Sequence, residues 1–280
     1  MIRILVTNDD GIDSPGLHAV VAAISDLGDV VVIAPDRNRS GVSRSITLGT
    51  TLVVTEAEVP GARLAFATDG TPTDCVRMAA LGLAGEPPQL IVSGANQGLN
   101  VGDDVTYSGT VAAAMEAVMN GRPAIAISQQ SLQLELGYPL NATFEYTAME
   151  QFLRGLVVHT LKHLDDLPTG LVLNVNVPGL QPAEIAGVEI TKLGRRIYRD
   201  RLELQSDEGG MSRYSLYGDD PSHHEEAGTD IAAIGRSCIS LTALRFNLVD
   251  NDAHEFVESW PLDGFLAAAS DGDTALGGVS

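Results

Sequence analysis

The chain has 280 residues, a mass of 29.4 kDa and a hydrophobic content of 44%, which fits one large α/β domain or a domain with an insertion. Its 37 acidic and 17 basic residues give a formal net charge of −20. Such a surface repels nucleic acid polymers and anionic membranes, so we expect neither as a partner, although the charge could also serve solubility alone.

The two cysteines, Cys75 and Cys238, are far apart and show no CxxC spacing. This disfavours a disulfide scaffold or a zinc site and favours a reducing compartment. The N-terminal apolar run meets Asp9 too early for a signal peptide, and every later apolar run is interrupted before it reaches membrane-spanning length. We therefore expect a cytoplasmic protein without a membrane span.

The first predicted element is a buried strand, because the apolar run of Ile2, Ile4, Leu5 and Val6 stops abruptly at the sequence NDDG of residues 8–11. Ser14 and Pro15 then suit the cap and the first position of a helix that extends to about residue 27. A second apolar strand follows at residues 30–34. This β-α-β order predicts a right-handed crossover and a parallel sheet.

The later elements continue the alternation of strands and helices. Apolar or alternating runs predict further strands at residues 50–55, 63–68, 90–92, 124–128, 171–177 and 238–241. The first two of these are expected to pair antiparallel. Helices are predicted to open at residues 69–73, 107–110 and 229–230, and another to lie at about 144–164. The pattern predicts a doubly wound, mostly parallel α/β sheet, Rossmann-like and three-layered.

Composition changes along the chain predict its domain organisation. Residues 1–194 form the expected α/β core. Residues 195–228 are charged, contain tyrosines and are poor in core residues, which indicates a protruding hairpin that we call the arm. Residues 229–268 are expected to pack on the core or on a partner subunit, and the small-residue tail 269–280 is expected to be disordered.

Oxygen-bearing side chains follow three of the predicted strands, namely Asp9 with Asp10, then Ser40, then Asn96. The carboxyl ends of parallel strands meet at one edge of a sheet, where ligands bind. Two adjacent carboxylates there repel each other, and oxygen ligands suit Mg²⁺, Mn²⁺ or Ca²⁺. Taken singly, the aspartates could cap a helix, Ser40 could serve a turn, and Asn96 could adopt a left-handed conformation between glycines.

A fourth loop, Ser108-Gly109-Thr110, precedes a small-residue helix and predicts an anion site. Free N–H groups and the helix dipole favour phosphate at such an N-terminus, although simple capping by Ser108 is the alternative. A cation at the neighbouring carboxylates would lower the pKa of a bound water, and that water would attack phosphorus in line. The sequence does not identify a general acid; Asp10 or a bound water are the candidates.

Three weaker features do not change this interpretation. The sequence HHEE at residues 223–226 could bind a metal but fits a solvated stretch of the arm, and GTPTD at residues 70–74 fits a helix cap better than a base pocket. His18 fits a packing or surface position in the first helix. The sequence contains neither GxxxxGK[ST] nor GxGxxG, which argues against a P-loop NTPase and a dinucleotide enzyme.

Six segments combine into a recognisable pattern: TNDDGIDSPGLHAV, APDRNRSGVSRSIT, DGTPTDCV, SGANQGLNVGDDVTYSGTVAAAMEA, LNVNVP and TDIAAIGRSCISLT. Over about residues 1–245 the chain resembles the family of the stationary-phase survival protein SurE. The resemblance implies a metal-dependent nucleotidase that hydrolyses nucleoside 5′- and 3′-monophosphates, and possible action on short-chain polyphosphate. It also implies a homodimer or homotetramer that assembles through the C-terminal arm.

The same resemblance assigns residues by position. It implies that one divalent cation, Mg²⁺ or Mn²⁺, is held by Asp9, Asp10, Ser40 and Asn96, with Asp9 and Asp10 catalytic. It implies that the positions close to the phosphate are Asn8, Ser43, Ser108, Gly109 and Thr110. The chain departs from the family pattern at Ala112, Ala117 and Ala243, which leaves substrate preference and assembly open.

Two other functions are weighed against this one. A phospho-accepting signalling domain also has paired acids after its first strand, but it needs another aspartate at a mid-sheet strand end and a suitably placed lysine. The strand that ends near Ser93 has no such aspartate, and Lys162 and Lys192, the only lysines, are poorly placed. A nucleotide-binding module without turnover would have the same ligand set, so only an assay separates it from an enzyme.

Overall fold

The computed structural model describes residues 1–137, 141–198, 200–216, 222–224 and 226–262. The chain divides into two units, Met1–Arg245 and Phe246–Ser280. The larger unit contains the sheet, the arm and every candidate site residue.

The described strands are β1 (Arg3–Thr7), β2 (Asp29–Pro35), β3 (Val54–Ala57), β4 (Leu64–Thr68), β5 (Leu90–Gln97), β6 (Ala124–Gln129), β7 (Val172–Val177), β8 (Gly187–Thr191), β9 (Arg196–Ile197), β10 (Glu203–Glu208), β11 (Met211–Ser215), β12 (Ser222–His223) and β13 (Cys238–Leu244). Within the described residues the main sheet has nine strands in the order β3-β4-β2-β1-β5-β6-β7-β13-β8. Strands β4, β2, β1, β5, β6 and β7 run parallel. Strand β3 pairs antiparallel with β4, and β13 pairs antiparallel with β7 and parallel with β8.

The described α-helices are α1 (Pro15–Ile24), α2 (Pro72–Ala80), α3 (Gly109–Met119), α4 (Thr147–Lys162), α5 (Asp230–Gly235) and α6 (Asn251–Glu258). Helices α1 and α4 cover one face of the sheet, and α2 and α3 cover the other. Along β1, Ile4 faces the first layer and Leu5 the second, so alternate side chains of one strand enter two cores. The predicted doubly wound, three-layered α/β fold is confirmed.

Several predicted boundaries need correction. Strand β5 does not stop at residue 92 but continues to Gln97, so that Asn96 lies within the strand. A register shift against β6 between Ser93 and Asn96 accompanies this extension. Strand β8 was not predicted, although its sequence GVEIT alternates with the period of an exposed edge strand. Strand β3 begins at residue 54 rather than 50, and helices α1 and α2 each end about three residues earlier than predicted.

The arm contains an antiparallel hairpin, β10 with β11, and a short antiparallel pair, β9 with β12, at its base. The predicted hairpin is therefore present in residues 195–228. Residues 229–245 belong to the larger unit, where Thr229 caps α5, α5 packs against β13 and β13 enters the main sheet. The predicted antiparallel pair near residues 50–68 and the helix that starts at residue 229 are also found.

The smaller unit contains helix α6, whose first turn is capped by the side chain of Asp250. The rings of Phe256 and Trp260 meet edge to face with centroids 5.9 Å apart. The expected disordered tail at 269–280 and the last residues of segment 229–268 lie outside the described residues. Among the described helices, none is both long and apolar enough to cross a membrane.

Candidate functional site

Strand β1 delivers Asp9 to the N-terminus of α3. Asp9 is 2% exposed, and the hydroxyl of Thr110 donates a hydrogen bond of 2.5 Å to its Oδ1. A Cβ atom at Gly109 would lie 2.8 Å from both the Cβ and the Oδ2 of Asp9. Only a glycine therefore lets the first turn of α3 approach this carboxylate so closely.

Asp10 is held from two sides by polar groups of other loops. The backbone N–H of Gln97, at the end of β5, donates to its Oδ2 at 2.9 Å. On the other side, Oδ1 lies 3.2 Å from Nδ2 of Asn38 and 3.5 Å from the hydroxyl of Ser40. The loop after β2 is fixed in turn, because the N–H of Ser40 donates to Oδ1 of Asn38 at 2.8 Å. Three chain segments thus meet at Asp10.

Asn96 turns its side-chain oxygen toward this group. Its Nδ2 donates to the carbonyl of Gly98 at 2.8 Å, and its Oδ1 lies 3.4 Å from the hydroxyl of Thr110. Thr110 contacts Asp9 with the same hydroxyl. Asp9, Asp10, Ser40 and Asn96 are therefore gathered at the carboxyl edge of β1, β2 and β5.

Burial raises the pKa of Asp9, against opposing hydrogen bonds from Thr110 and Gly109. Burial and the charge of Asp9 raise the pKa of Asp10 to about 7. In the described part of the chain, the groups that stabilise these two charges are hydrogen-bond donors rather than basic side chains. Two buried, mutually repelling carboxylates beside hydroxyl and amide oxygens fit a hard divalent cation, whose charge would relieve the repulsion.

Besides Gly109 and Thr110, two further residues expected near phosphate lie at or next to the N-terminus of α3. Ser108 is its N-cap and accepts from the N–H of Val111 at 3.1 Å, which leaves the serine hydroxyl proton free to be donated. Ser43 has a positive φ of 52°. Its hydroxyl donates to the carbonyl of Thr106 at 2.6 Å and its N–H to that of Tyr107 at 3.2 Å, so it ties the loop after β2 to the approach of α3.

Asn8, also expected near phosphate, is fully buried. Its Nδ2 donates to the carbonyl of Gly11 at 3.0 Å and to the hydroxyl of Ser14 at 2.7 Å, and its Oδ1 accepts from the N–H of Gly11 at 3.2 Å. Asn8 thereby shapes the loop that presents the aspartates and joins it to the N-cap of α1.

The GTPTD motif and His18 have the structural roles that the sequence predicts for them. Thr71 and Asp74 form a reciprocal capping box at the start of α2, so GTPTD is a helix cap. His18 lies in α1 with Nε2 3.1 Å from the carbonyl of Ile12, which fits a packing position. Among the described residues, which exclude Glu225, no group of three or more His, Cys, Asp or Glu side chains could hold a metal.

Three residues at or next to the site were not predicted from the sequence, namely Asn38, Gln97 and Tyr146. The side-chain amide of Gln97 donates to the hydroxyl of Tyr146 at 3.2 Å, and burial, followed by the charge of Asp10, raises the pKa of that tyrosine. Asn38 and Gln97 stand within the quoted motifs and could have been found there. Tyr146 lies directly before α4, outside the quoted motifs, so no local sequence pattern indicated that it lies near the site.

The fold and the site together define a class: an α/β protein that gathers oxygen donors for a hard cation beside a helix N-terminus suited to an anion. A family model described as "Survival protein SurE" matches residues 4–200. The protein named 5′-nucleotidase SurE from Rubrobacter xylanophilus is 44% identical over 262 residues, covering 93% of this chain and 98% of its own. Its namesake from Chloroflexus aggregans is 42% identical over 257 residues, covering 92% and 98%.

A solved structure agrees with these sequence relatives. The crystal structure of SurE protein from Aquifex aeolicus has a TM-score of 0.74 and 34% identity to this chain, covering 91% of this chain and 98% of its own. The chain belongs to the SurE family.

Proposed function

We propose that this chain is a 5′-nucleotidase, a phosphoric monoester hydrolase that uses one divalent cation, Mg²⁺ or Mn²⁺, and that it also accepts 3′-monophosphates. The relatives that carry the name 5′-nucleotidase SurE cover most of the chain and support this reaction. The observation that supports the metal requirement is the meeting of Asp9 and Asn96 at Thr110 of α3, with Asp10 next to Asp9 and Ser40 against Asp10.

The cation would be held by oxygens of Asp9, Asp10, Ser40 and Asn96. When bound, it supplies positive charge to a phosphoryl oxygen and lowers the pKa of water. Asp9 and Asp10 are the catalytic pair because they carry the negative charge that binds it. Thr110 and the N–H of Gln97 fix the orientation of these two carboxylates.

The phosphate is received by the first turn of α3. The hydroxyl of Ser108 accepts from Val111, so its proton can be donated to a ligand at this end, and the helix dipole favours negative charge there. Gly109 keeps the turn close to Asp9, while Ser43 holds the neighbouring loop against residues 106–107. Asn8 supports the phosphate site from beneath by fixing the loop that carries the aspartates.

Release of inorganic phosphate tests this function. Purified protein should hydrolyse AMP or GMP with Mg²⁺ or Mn²⁺ and lose this activity in a chelator, and Asp9→Ala should abolish it. A protein that binds nucleotide without releasing phosphate would be a binding module instead. Short-chain polyphosphate, offered in the same assay, tests the proposed exopolyphosphatase activity.

A signalling domain is the weaker alternative. Lys162 ends α4, and the amine of Lys192 pairs with Glu226 in the arm, so neither supports a phospho-aspartate in the way such a domain needs. Incubation with acetyl phosphate should leave the protein unmodified.

We propose that the arm joins copies of this chain into a homodimer or homotetramer. Its hairpin strands carry Leu204, Met211 and Tyr214, each more than half exposed. Exposed apolar side chains on a protruding hairpin favour burial against a second copy. Light scattering of the whole chain and of Leu204→Glu tests this, and a monomeric parent would contradict it.

The free thiols Cys75 and Cys238 fit the proposed cytoplasmic location.

A further inference from the structure

A 3₁₀ turn, Gly102–Thr106, leads from β5 into the phosphate end of α3. The carbonyl of Asp104 accepts the N–H of Tyr107 at 2.9 Å and that of Ser108, the N-cap, at 3.1 Å. The carbonyls of Thr106, which ends the turn, and of Tyr107, which follows it, accept the hydrogen bonds from Ser43. The turn therefore sets the position of the N-cap and of the loop that faces it.

The carboxylate of Asp104 is buried and is paired with the base of the arm. It forms an ion pair with Nε of Arg196, with side-chain exposures of 6% and 3%, and it accepts from the hydroxyl of Tyr198 at 2.5 Å. The backbone N–H of Arg196 also donates to Asp103 at 3.1 Å. A buried ion pair is costly to break from one side, because the charge left behind has lost both water and its partner.

A second anchor joins the same two regions. Asp230, at the start of α5, accepts from the N–H of Gly102 at 2.8 Å and from that of Gly194 at 2.7 Å. The φ of Gly102 is +54°, and a Cβ atom there would lie 2.8 Å from the carbonyl oxygen of Gly194. Asp230 thus joins the turn to Gly194, directly before the arm, and the two backbones leave no room for a side chain at residue 102.

We propose that Arg196 and Tyr198 are positioning residues for the nucleotidase reaction: through Asp104 they hold Ser108 and the first turn of α3 in place for the phosphate. The arm is thereby part of the support of the active site as well as a surface for assembly. This inference rests on the proposed function. A shift of the N-cap by a fraction of an ångström weakens phosphate binding, since such contacts depend steeply on distance.

The test is a double-mutant cycle with steady-state kinetics on AMP. Arg196→Met should lower kcat/KM by about tenfold, mainly through KM, and should raise the inhibition constant of inorganic phosphate by a similar factor. Tyr198→Phe should show the same pattern at about threefold. Arg196→Met combined with Asp104→Asn should recover part of the loss, because no buried charge is then left unpaired.

Arg236→Met is the matched control, since Arg236 forms an exposed ion pair with Glu189 on the edge strand β8, which β6, β7 and β13 separate from β5. The kinetics of Arg236→Met should equal those of the parent. Hydrogen exchange of the metal-free chain gives a readout besides turnover: Arg196→Met and Tyr198→Phe should speed exchange in residues 102–110. Parent-like kinetics and exchange in both variants, or additive effects in the cycle, would overturn the inference. A parent that releases no phosphate from AMP would instead refute the proposed function, and the exchange data would still decide the inference.

Discussion

At the scale of single residues, the site depends on a glycine as much as on its carboxylates. Gly109→Ala would add a Cβ atom 2.8 Å from the Cβ and Oδ2 of Asp9, closer than non-bonded atoms approach. Asp9 or the first turn of α3 must then shift, and we expect phosphate release to fall by about a hundredfold. Steady-state kinetics at saturating Mg²⁺ measure this.

Gly155 is the matched control for that substitution. It lies inside α4 and a Cβ atom there would meet nothing within 4 Å, so Gly155→Ala should keep full activity and stabilise the helix by about 0.5–1 kcal/mol. Equal activity of the two alanine variants would show that the close approach of α3 to Asp9 is not needed.

How much of the site could be predicted from sequence depends on the sequence separation of its members. Asp9 and Asp10 are neighbours at the end of an apolar strand, so a local pattern reveals them. The contact between Thr110 and Asp9 spans 101 positions, and only the rule that parallel strands share one carboxyl edge brings these loops together. Tyr146 reaches Gln97 across 49 positions without any such rule, and it was not predicted.

At the scale of elements, Ser108 has a structural and a functional role that can be separated. Its hydroxyl caps α3, as the hydroxyl of Thr229 caps α5. Replacing either residue by alanine should lower the free energy of unfolding by about 1 kcal/mol. Only Ser108→Ala should also raise the KM for AMP, because only that hydroxyl lies at the proposed phosphate site. A KM raised equally by both variants would assign the effect to lost stability.

Helix α2 gives an element-scale prediction about pH. Burial opposes the charge of Asp74, but hydrogen bonds from Thr71 and Thr47 outweigh it and lower the pKa of this carboxyl. Its contribution to stability is therefore present above the ordinary aspartate pKa and lost as pH falls through the lowered one. Asp74→Asn should unfold at a lower temperature than the parent at neutral pH.

The melting curves of the parent and of Asp74→Asn should converge as the pH falls below the ordinary aspartate pKa and through the lowered pKa of Asp74. Thermal unfolding by circular dichroism across this range measures both. A gap that stays constant with pH would contradict the role assigned to the charged form of Asp74.

Strand prediction succeeded where apolar runs are long and failed at the edges. The inner strands β1, β2, β6 and β7 are buried on both faces and read as continuous apolar runs. Strand β8 at the sheet edge is only five residues long and half exposed, so it lacks the continuous apolar run that predicts the inner strands. The extension of β5 through polar residues depends on pairing with β6, which the local sequence does not encode.

At the scale of the whole molecule, a chain of net charge −20 is proposed to act on an anionic substrate. The proposed cation at the sheet edge would resolve this conflict, because it would reverse the local field where phosphate is expected to enter. The general charge repels polymers of phosphate groups, whereas a monophosphate would have to reach only the one site that the proposed cation makes positive. The fold class could be predicted from the alternation of strands and helices along the chain. The contacts that join the arm to the start of α3 could be found only in the tertiary structure, because no local sequence pattern encodes them.

The proposed function requires that Asp9, Asp10, Ser40 and Asn96 hold a single divalent cation. Titration of Mn²⁺ into chelator-treated protein, followed by the electron paramagnetic resonance signal of free Mn²⁺, tests this directly. We expect one Mn²⁺ bound per chain, with Asp9→Asn and Asn96→Ala each weakened by at least about tenfold and the remote Asp26→Asn unchanged. Binding of Mn²⁺ by Asp9→Asn with the stoichiometry and affinity of the parent would contradict the claim.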